Sequence, residues 1–295
     1  MTTTPFGRVL TAMVTPMSAG GEIDEAGVDS LVEHLIDTEH DGIVVNGTTG
    51  ESSTLTDDES IEMVRRVVEQ SDGRARVVAG CGSNDTAHAV AMAGRAADAG
   101  ADALLVVSPY YNKPTQAGVI AHCNAVADAT DLPVMLYDIP ARTGIPFATE
   151  TLITLAEHPR IVAFKDAKGD LWATTQVLAD TDLLLFSGED ALTLPLLAIG
   201  AVGTVSVVGH VAGARYAAMV AAVDRGDLAE ARAIHEALVP VVEAVMNTSQ
   251  GAIMAKAALV ELGIIESAAV RLPLVESPPE HLEKLRTALV TVAGR

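Results

Sequence analysis

Five lysines occur in 295 residues, at positions 113, 165, 168, 256 and 284, and one of them sits where chemistry is expected. Lys165 lies near the end of Ile161–Gly169, IVAFKDAKG, an apolar run that reads as a short buried strand. Side chains alternate along a strand, so Ile161, Ala163 and Lys165 are expected on one face. A buried ammonium is costly, and burial lowers a lysine pKa by up to ~5 units in extreme cases. A neutral amine attacks carbonyl carbon, which is how Schiff-base enzymes begin. The competing reading is a lysine at the strand end whose ammonium reaches solvent. Lys113 and Lys168 fall in loops and Lys256 and Lys284 in helical patterns, so Lys165 alone is placed in a strand.

The elements that must position this lysine repeat along the chain. Apolar, β-branched runs recur at Val9–Pro16, Gly42–Gly47, Arg76–Gly82, Ala103–Pro109, Pro133–Pro140, Ile161–Ala167, Leu183–Glu189 and Gly203–Val208. Between them apolar residues take helical spacing, as in Val28, Leu31, Val32, Leu35 and Ile36. Thr56, Asn84 or Asp85, and Thr149 stand where helix caps belong. Continuous apolar strands alternating with helices indicate a parallel sheet covered by helices. Eight such units predict an α/β fold, the (β/α)8 TIM barrel, over residues 1–225. A doubly wound sheet is the competitor, but VLTAMVTPMSAGG after the first strand is no phosphate loop. Residues 226–295 carry only helical patterns and read as a C-terminal helical extension packed on the barrel.

Barrel chemistry sits at the C-terminal strand ends. Here those ends read GTTGES (47–52), SPYYNKP (108–114), YDIPARTG (137–144), Lys165 and SGED (187–190). Three of the four tyrosines, Tyr110, Tyr111 and Tyr137, gather on this rim, which packing alone would not demand. GTTG offers two hydroxyls and backbone N–H groups suited to a carboxylate; the alternative is an ordinary Gly-rich turn. Arg142 can clamp a carboxylate bidentately or pair with a surface acid.

Several chemistries are excluded. The eight histidines show no H-x-H or H-E-x-x-H spacing, so no metal site is expected. No GxxxxGK[ST] or GxSxG occurs, and the Gly80–Gly82 pair is a weak dinucleotide signal. A net charge of −20 argues against nucleic acid or an anionic membrane as partner. The acids at 22–33 and 57–62 read as solvated helix faces and nothing more. Cys81 and Cys123 have no ligand or C-x-x-C spacing, and MTTTPFGRVL lacks the features of a signal peptide, so a cytoplasmic location is expected. Ala191–Ala214 has no charged residue and is long enough to span a bilayer, but its prolines and glycines favour helix–turn–strand.

Taken together, GTTGES, SPYYNKP, LYDIPARTG, FKDAKGD, FSGED and GTVSV, in this order over nearly the whole chain, resemble the dihydrodipicolinate synthase family. These are pyruvate-dependent class I aldolases, related to N-acetylneuraminate lyase. The resemblance implies condensation of pyruvate with aspartate semialdehyde on Lys165 as a Schiff base, without a cofactor. It implies Tyr137 as general acid–base, with Thr48 and a neighbouring subunit's Tyr111 completing a proton relay. Thr49 and the backbone of Val205 would hold the pyruvate carboxylate, and Arg142 that of the semialdehyde. A homotetramer, a dimer of dimers, is implied too. Asp138 stands where the family often has Asn, Asp166 where it has Glu, and His210 where it has Asn. Many members are inhibited by lysine; Ser52, Asn84 and Tyr110 match that site, but His88 replaces a glutamate there, so a weak response is expected. A sister aldolase for a sugar acid, and a non-catalytic keto-acid sensor, are the alternatives. Arg142 favours the synthase over the first, and the nucleophilic lysine argues against the second.

Overall fold

A computed structural model describes residues 4–293. Met1–Thr3, part of the stretch on which the signal-peptide reading rests, and residues 294–295 of the extension lie outside it. The eight expected strands form as β1 (Val9–Ala12), β2 (Gly42–Val45), β3 (Arg76–Gly80) and β4 (Ala103–Val107), then β5 (Val134–Asp138), β6 (Ile161–Asp166), β7 (Leu184–Ser187) and β8 (Gly203–Ser206). All pair in parallel and in order, and β8 closes on β1, so the barrel is the predicted one. The expected runs overshoot the C-terminal ends, reaching Pro16 where β1 stops at Ala12. Past those points the backbone leaves the ladder to build the loops of the barrel mouth.

The first helices are α1 (Glu25–Asp37), α2 (Asp57–Ser71), α3 (Thr86–Asp98) and α4 (Gln116–Asp128). After β5 come a single turn, α5 (Pro140–Thr143), and α6 (Thr149–Leu155); α7 (Leu171–Asp180), α8 (Thr193–Ala198) and α9 (Gly209–Asp224) follow β6, β7 and β8. The extension contains α10 (Leu228–Met246), α11 (Gly251–Glu261) and α12 (Pro279–Ala293). α10 packs on α9 and α12, while α11 rests against the 3-10 turn Thr48–Gly50. The uncharged stretch 191–214 resolves into α8, β8 and the start of α9. No helix among the described residues is long and apolar enough to cross a membrane.

Two cores hold the barrel, as alternation within strands requires. One lies between strands and helices, including Ile43, Val77, Leu104, Leu136 and Phe164. The other fills the lumen with Leu10, Val44, Val78, Leu105, Met135, Ala163, Phe186 and Val205. The expected face of β6 needs one correction. Val134 pairs with Ile161 but Met135 with Ala163, so the register slips at Val162. This bulge turns Ile161 to the outer core while Ala163 stays in the lumen.

Two further expectations are corrected. Thr56 and Glu59 form a full capping box and Asp85 caps α3, but α6 is capped at Ala148, with Thr149 already in its first turn. There the Gln116 side chain of α4 accepts from Ala148 N and from the Thr151 hydroxyl, tying the helix start to α4. The acidic faces are not merely solvated. Arg66 bonds Glu25 and Asp29, Arg74 bonds Glu33, and Arg271 bonds Glu59, so these acids clasp neighbouring elements together.

Candidate active site

At the barrel mouth the strand register sets residues side by side: Val107 pairs with Tyr137, Tyr137 with Lys165, and Lys165 with Phe186. Lys165 is 4% exposed, which removes the reading of an amine in solvent. Its Nζ lies 4.0 Å from the centroid of the Tyr137 ring. Burial pulls the amine down to about 8 from its ordinary 10.5, although Asp190 and Glu189 favour the charged form. Burial also pushes the Tyr137 phenol upward, so at neutral pH it is a proton donor. Gly188 makes room for this pair: a Cβ there would sit 2.7 Å from Lys165 Cγ.

Loops around the pair are held by their own polar contacts. Asp190 accepts from the Ser206 hydroxyl, from Val207 N at 3.0 Å and from Val208 N at 3.3 Å. It therefore fixes the chain just beyond Val205, whose side chain is buried in the lumen. On the other side the turn Thr48–Gly50 leaves Thr48 exposed and Thr49 buried. The Thr15 hydroxyl donates to Gly50 O at 2.7 Å and anchors that turn to the end of the first strand segment.

One cavity of about 470 Å³ has Thr48, Tyr137, Arg142 and Tyr110 in its wall; it reaches the Tyr137 side of the pair, while Lys165, Thr49 and Val205 are not among its lining residues. Arg142, on α5, makes no ion pair among the described residues, so the alternative of a surface acid fails. Tyr111 does not line this cavity; its ring is 88% exposed, on backbone with φ of 72°. Ser52, Asp57, Ser83 and His88 form the far end. There His88 Nε2 lies 2.9 Å from Asp57 Oδ1, and His88 Nδ1 lies 3.3 Å from Ser83 Oγ.

The three residues expected to depart from the family pattern are each hydrogen-bonded. Asp166 accepts from Lys168 N, Gly169 N and the Thr174 hydroxyl. Asp138 accepts from Phe147 N at 3.2 Å, and burial pushes its carboxyl up to about 7. His210 accepts from Val14 N at 3.0 Å and lies 2.7 Å from Val207 O, the partner of its other nitrogen. Burial holds its imidazole down at about 3, so it stays neutral.

The arrangement sets an amine of lowered pKa against a phenol donor, beside a cavity whose wall carries an unpaired guanidinium. That combination suits imine chemistry on a small keto acid bearing a carboxylate. Sequence reasoning missed three supporting residues. Gly188 and Asp190 lie within the SGED motif it singled out, so their signal was present. Lys256, fully buried in α11, had none.

Comparison with known proteins bears on the family and the fold. The model of the dihydrodipicolinate synthetase family matches residues 5–292. The 4-hydroxy-tetrahydrodipicolinate synthase of Kineococcus radiotolerans is 55% identical over 97% of this chain and 92% of its own. That of Acidothermus cellulolyticus is 55% identical over 96% of this chain and 91% of its own. The solved lysine-bound enzyme of Cyanidioschyzon merolae is 44% identical and superimposes with a TM-score of 0.95, over 99% of each chain. The dihydrodipicolinate synthase of Acinetobacter baumannii, solved with pyruvate, is 34% identical with a TM-score of 0.94, over 98% of this chain and 99% of that one.

Proposed function

The chain belongs to the dihydrodipicolinate synthetase family, and from that premise we propose that it condenses pyruvate with L-aspartate 4-semialdehyde to 4-hydroxy-tetrahydrodipicolinate. It acts as a Schiff-base lyase in lysine and diaminopimelate biosynthesis. The carrying observation is Lys165, a buried amine of depressed pKa beside the Tyr137 ring.

The neutral Lys165 amine attacks the pyruvate ketone, and loss of water leaves a protonated imine. A methyl proton departs, and the imine nitrogen takes up the electron pair as an enamine. The enamine carbon then bonds to the aldehyde carbon, whose oxygen is protonated to a hydroxyl. The amine of the semialdehyde displaces Lys165 by transimination and closes the ring, and the lysine returns as an amine. No cofactor enters any of these steps.

Tyr137 is the general acid–base residue, relayed through Thr48 and a neighbour's Tyr111. Thr49 and the Val205 backbone hold the pyruvate carboxylate, and Arg142 that of the semialdehyde. An unpaired Arg142 in the cavity wall supports this acceptor over a polyhydroxyl sugar acid. A solvent-exposed Tyr111 ring fits a role in another subunit's site, and hence an oligomer, for which the family resemblance implies a homotetramer. Two free, buried cysteines suit a reducing cytoplasm. Residues 1–225 carry the chemistry and 226–295 support it.

Incubation with pyruvate and borohydride, followed by mass spectrometry, tests the reading. One three-carbon adduct on Lys165 is expected; label on Lys168, or none, refutes it. Assay with aspartate semialdehyde and with sugar aldehydes then separates the synthase from a sister aldolase.

A further inference from the structure

The GTTG turn carries two residues given roles above, yet its own hydrogen bonds are few. Gly50 N bonds Gly47 O at 3.0 Å, and Glu51 N bonds Thr48 O at 3.2 Å. Glu51 follows at once, in left-handed backbone with φ of 57°, and its side chain is buried. What holds it comes from the other end of the chain. Lys256 Nζ, fully buried in α11, donates to Glu51 Oε1 at 2.5 Å and to Ala269 O at 2.7 Å. Arg271 N donates to Glu51 Oε2 at 2.9 Å. The Arg271 guanidinium in turn donates to Thr54 O and Glu59, after the GTTG turn, and to Gly21 O in the loop before α1.

A buried carboxylate must be paired and hydrogen-bonded. Both oxygens of Glu51 are satisfied, and every donor to them comes from the extension. A buried pair adds little net stability over an apolar pair of similar shape, but it fixes geometry sharply when both partners are satisfied. The turn cannot rotate Thr48 or slide Thr49 without stripping Glu51 of its partners.

We propose that Lys256 is a positioning residue: with Glu51 it tethers the C-terminal extension to the GTTG turn and holds Thr48 and Thr49 in their working geometry. The catalytic part of this inference rests on the roles proposed above for those threonines. Displacements near 1 Å in a positioning element can cost about a hundredfold in rate. Lys256→Met leaves the Glu51 carboxylate buried without its counter-charge, so the turn must shift or Glu51 must take a proton. Adding Glu51→Gln supplies an uncharged side chain of the same shape, which still accepts from Arg271 N and presents its own N–H toward the vacated Ala269 O.

The test compares the parent, Lys256→Met, Glu51→Gln/Lys256→Met and Glu51→Gln, with active sites counted by borohydride-trapped pyruvate. Per site, Lys256→Met is expected to lose at least tenfold in kcat/KM for pyruvate and to regain part of it as the pH falls. The double variant should return to within about threefold of the parent. A purely stabilising pair would lower Tm and the number of sites but leave kcat and KM per site unchanged, and that result overturns the proposal. If Lys256→Met does not fold, Glu51→Gln decides, since its amide N–H2 must face either the ammonium or Arg271 N–H; parental kcat and KM there overturn it equally. Hydrogen exchange of the 47–52 peptide judges the tether without reference to catalysis. Exchange should quicken in Lys256→Met and slow again in the double variant, and unchanged exchange refutes the tether. Absence of label on Lys165 in the parent would instead refute the functional reading, and the exchange data would still decide the tether.

Discussion

The pH at which Lys165 becomes a nucleophile is the most direct consequence of its burial. With an ordinary pKa near 10.5, roughly one lysine in 3000 is neutral at pH 7. At about 8 the neutral fraction is roughly one in ten, a gain of ~300-fold in reactive amine. The rate of imine formation, trapped by borohydride at pyruvate well below saturation, should therefore rise about tenfold per pH unit up to pH 8 and level off above it. Lys165→Ala should show no trapping at any pH. The same shift affects stability with a definite sign. The folded pKa lies below the unfolded one, so between pH 10.5 and 8 the unfolded chain binds a proton that the folded chain lacks. Stability is lost as pH falls through that window, by about 3 kcal/mol once below it. Lys165→Met, which keeps the bulk without the charge, should raise stability toward denaturant at pH 7, and the gain should fade above pH 10.5. A trapping midpoint at pH 10 or higher, or a Lys165→Met protein less stable than the parent at pH 7, would refute the reasoning.

Three other outcomes follow from the site. Tyr137→Phe should lower kcat roughly 10²–10⁴-fold with a far smaller effect on pyruvate binding; a fall under about tenfold would make Tyr137 a packing residue. Mixing Lys165→Ala with Tyr111→Phe, each inactive alone, should restore activity once subunits exchange, because some shared sites become whole. No recovery despite proven exchange would put Tyr111 outside the relay of a neighbouring site. L-Lysine should inhibit weakly at saturating pyruvate. His88 already occupies Asp57 at 2.9 Å, leaving the ligand's ammonium without a free carboxylate; half-inhibition below about 1 mM, a binding free energy of about −4 kcal/mol, would contradict this.

Much of the barrel was legible in the chain order. Parallel strands covered on both faces are continuous apolar runs, and Gly and Pro punctuate them, so all eight were placed, with their C-terminal ends overrun and the starts of β5 and β7 set one residue early. Lys165 was legible for a related reason. A lone lysine at the end of such a run marks the place where barrel chemistry is built, but only its burial in the folded barrel set aside an ammonium reaching solvent. Thr56 and Asp85 were readable as caps because capping is local.

What local pattern could not decide were the relations between elements. The bulge at Val162, which sends Ile161 to the outer core, depends on how β5 and β6 meet and leaves no mark in IVAFKD. The acids of α1 looked like solvated surface because their partners, Arg66 and Arg74, belong to α2 and its following turn. Lys256 lies in a helix whose apolar residues surround it on every side, so nothing in GAIMAKAALVE selects the side that will meet Glu51. That meeting joins residues 205 positions apart. Composition and periodicity determine which segments become strands and helices, because those preferences act over a few residues. Which buried charge finds which partner is settled only when the closed barrel and its extension pack, since a desolvated ion is tolerable only beside a counter-charge that tertiary structure supplies.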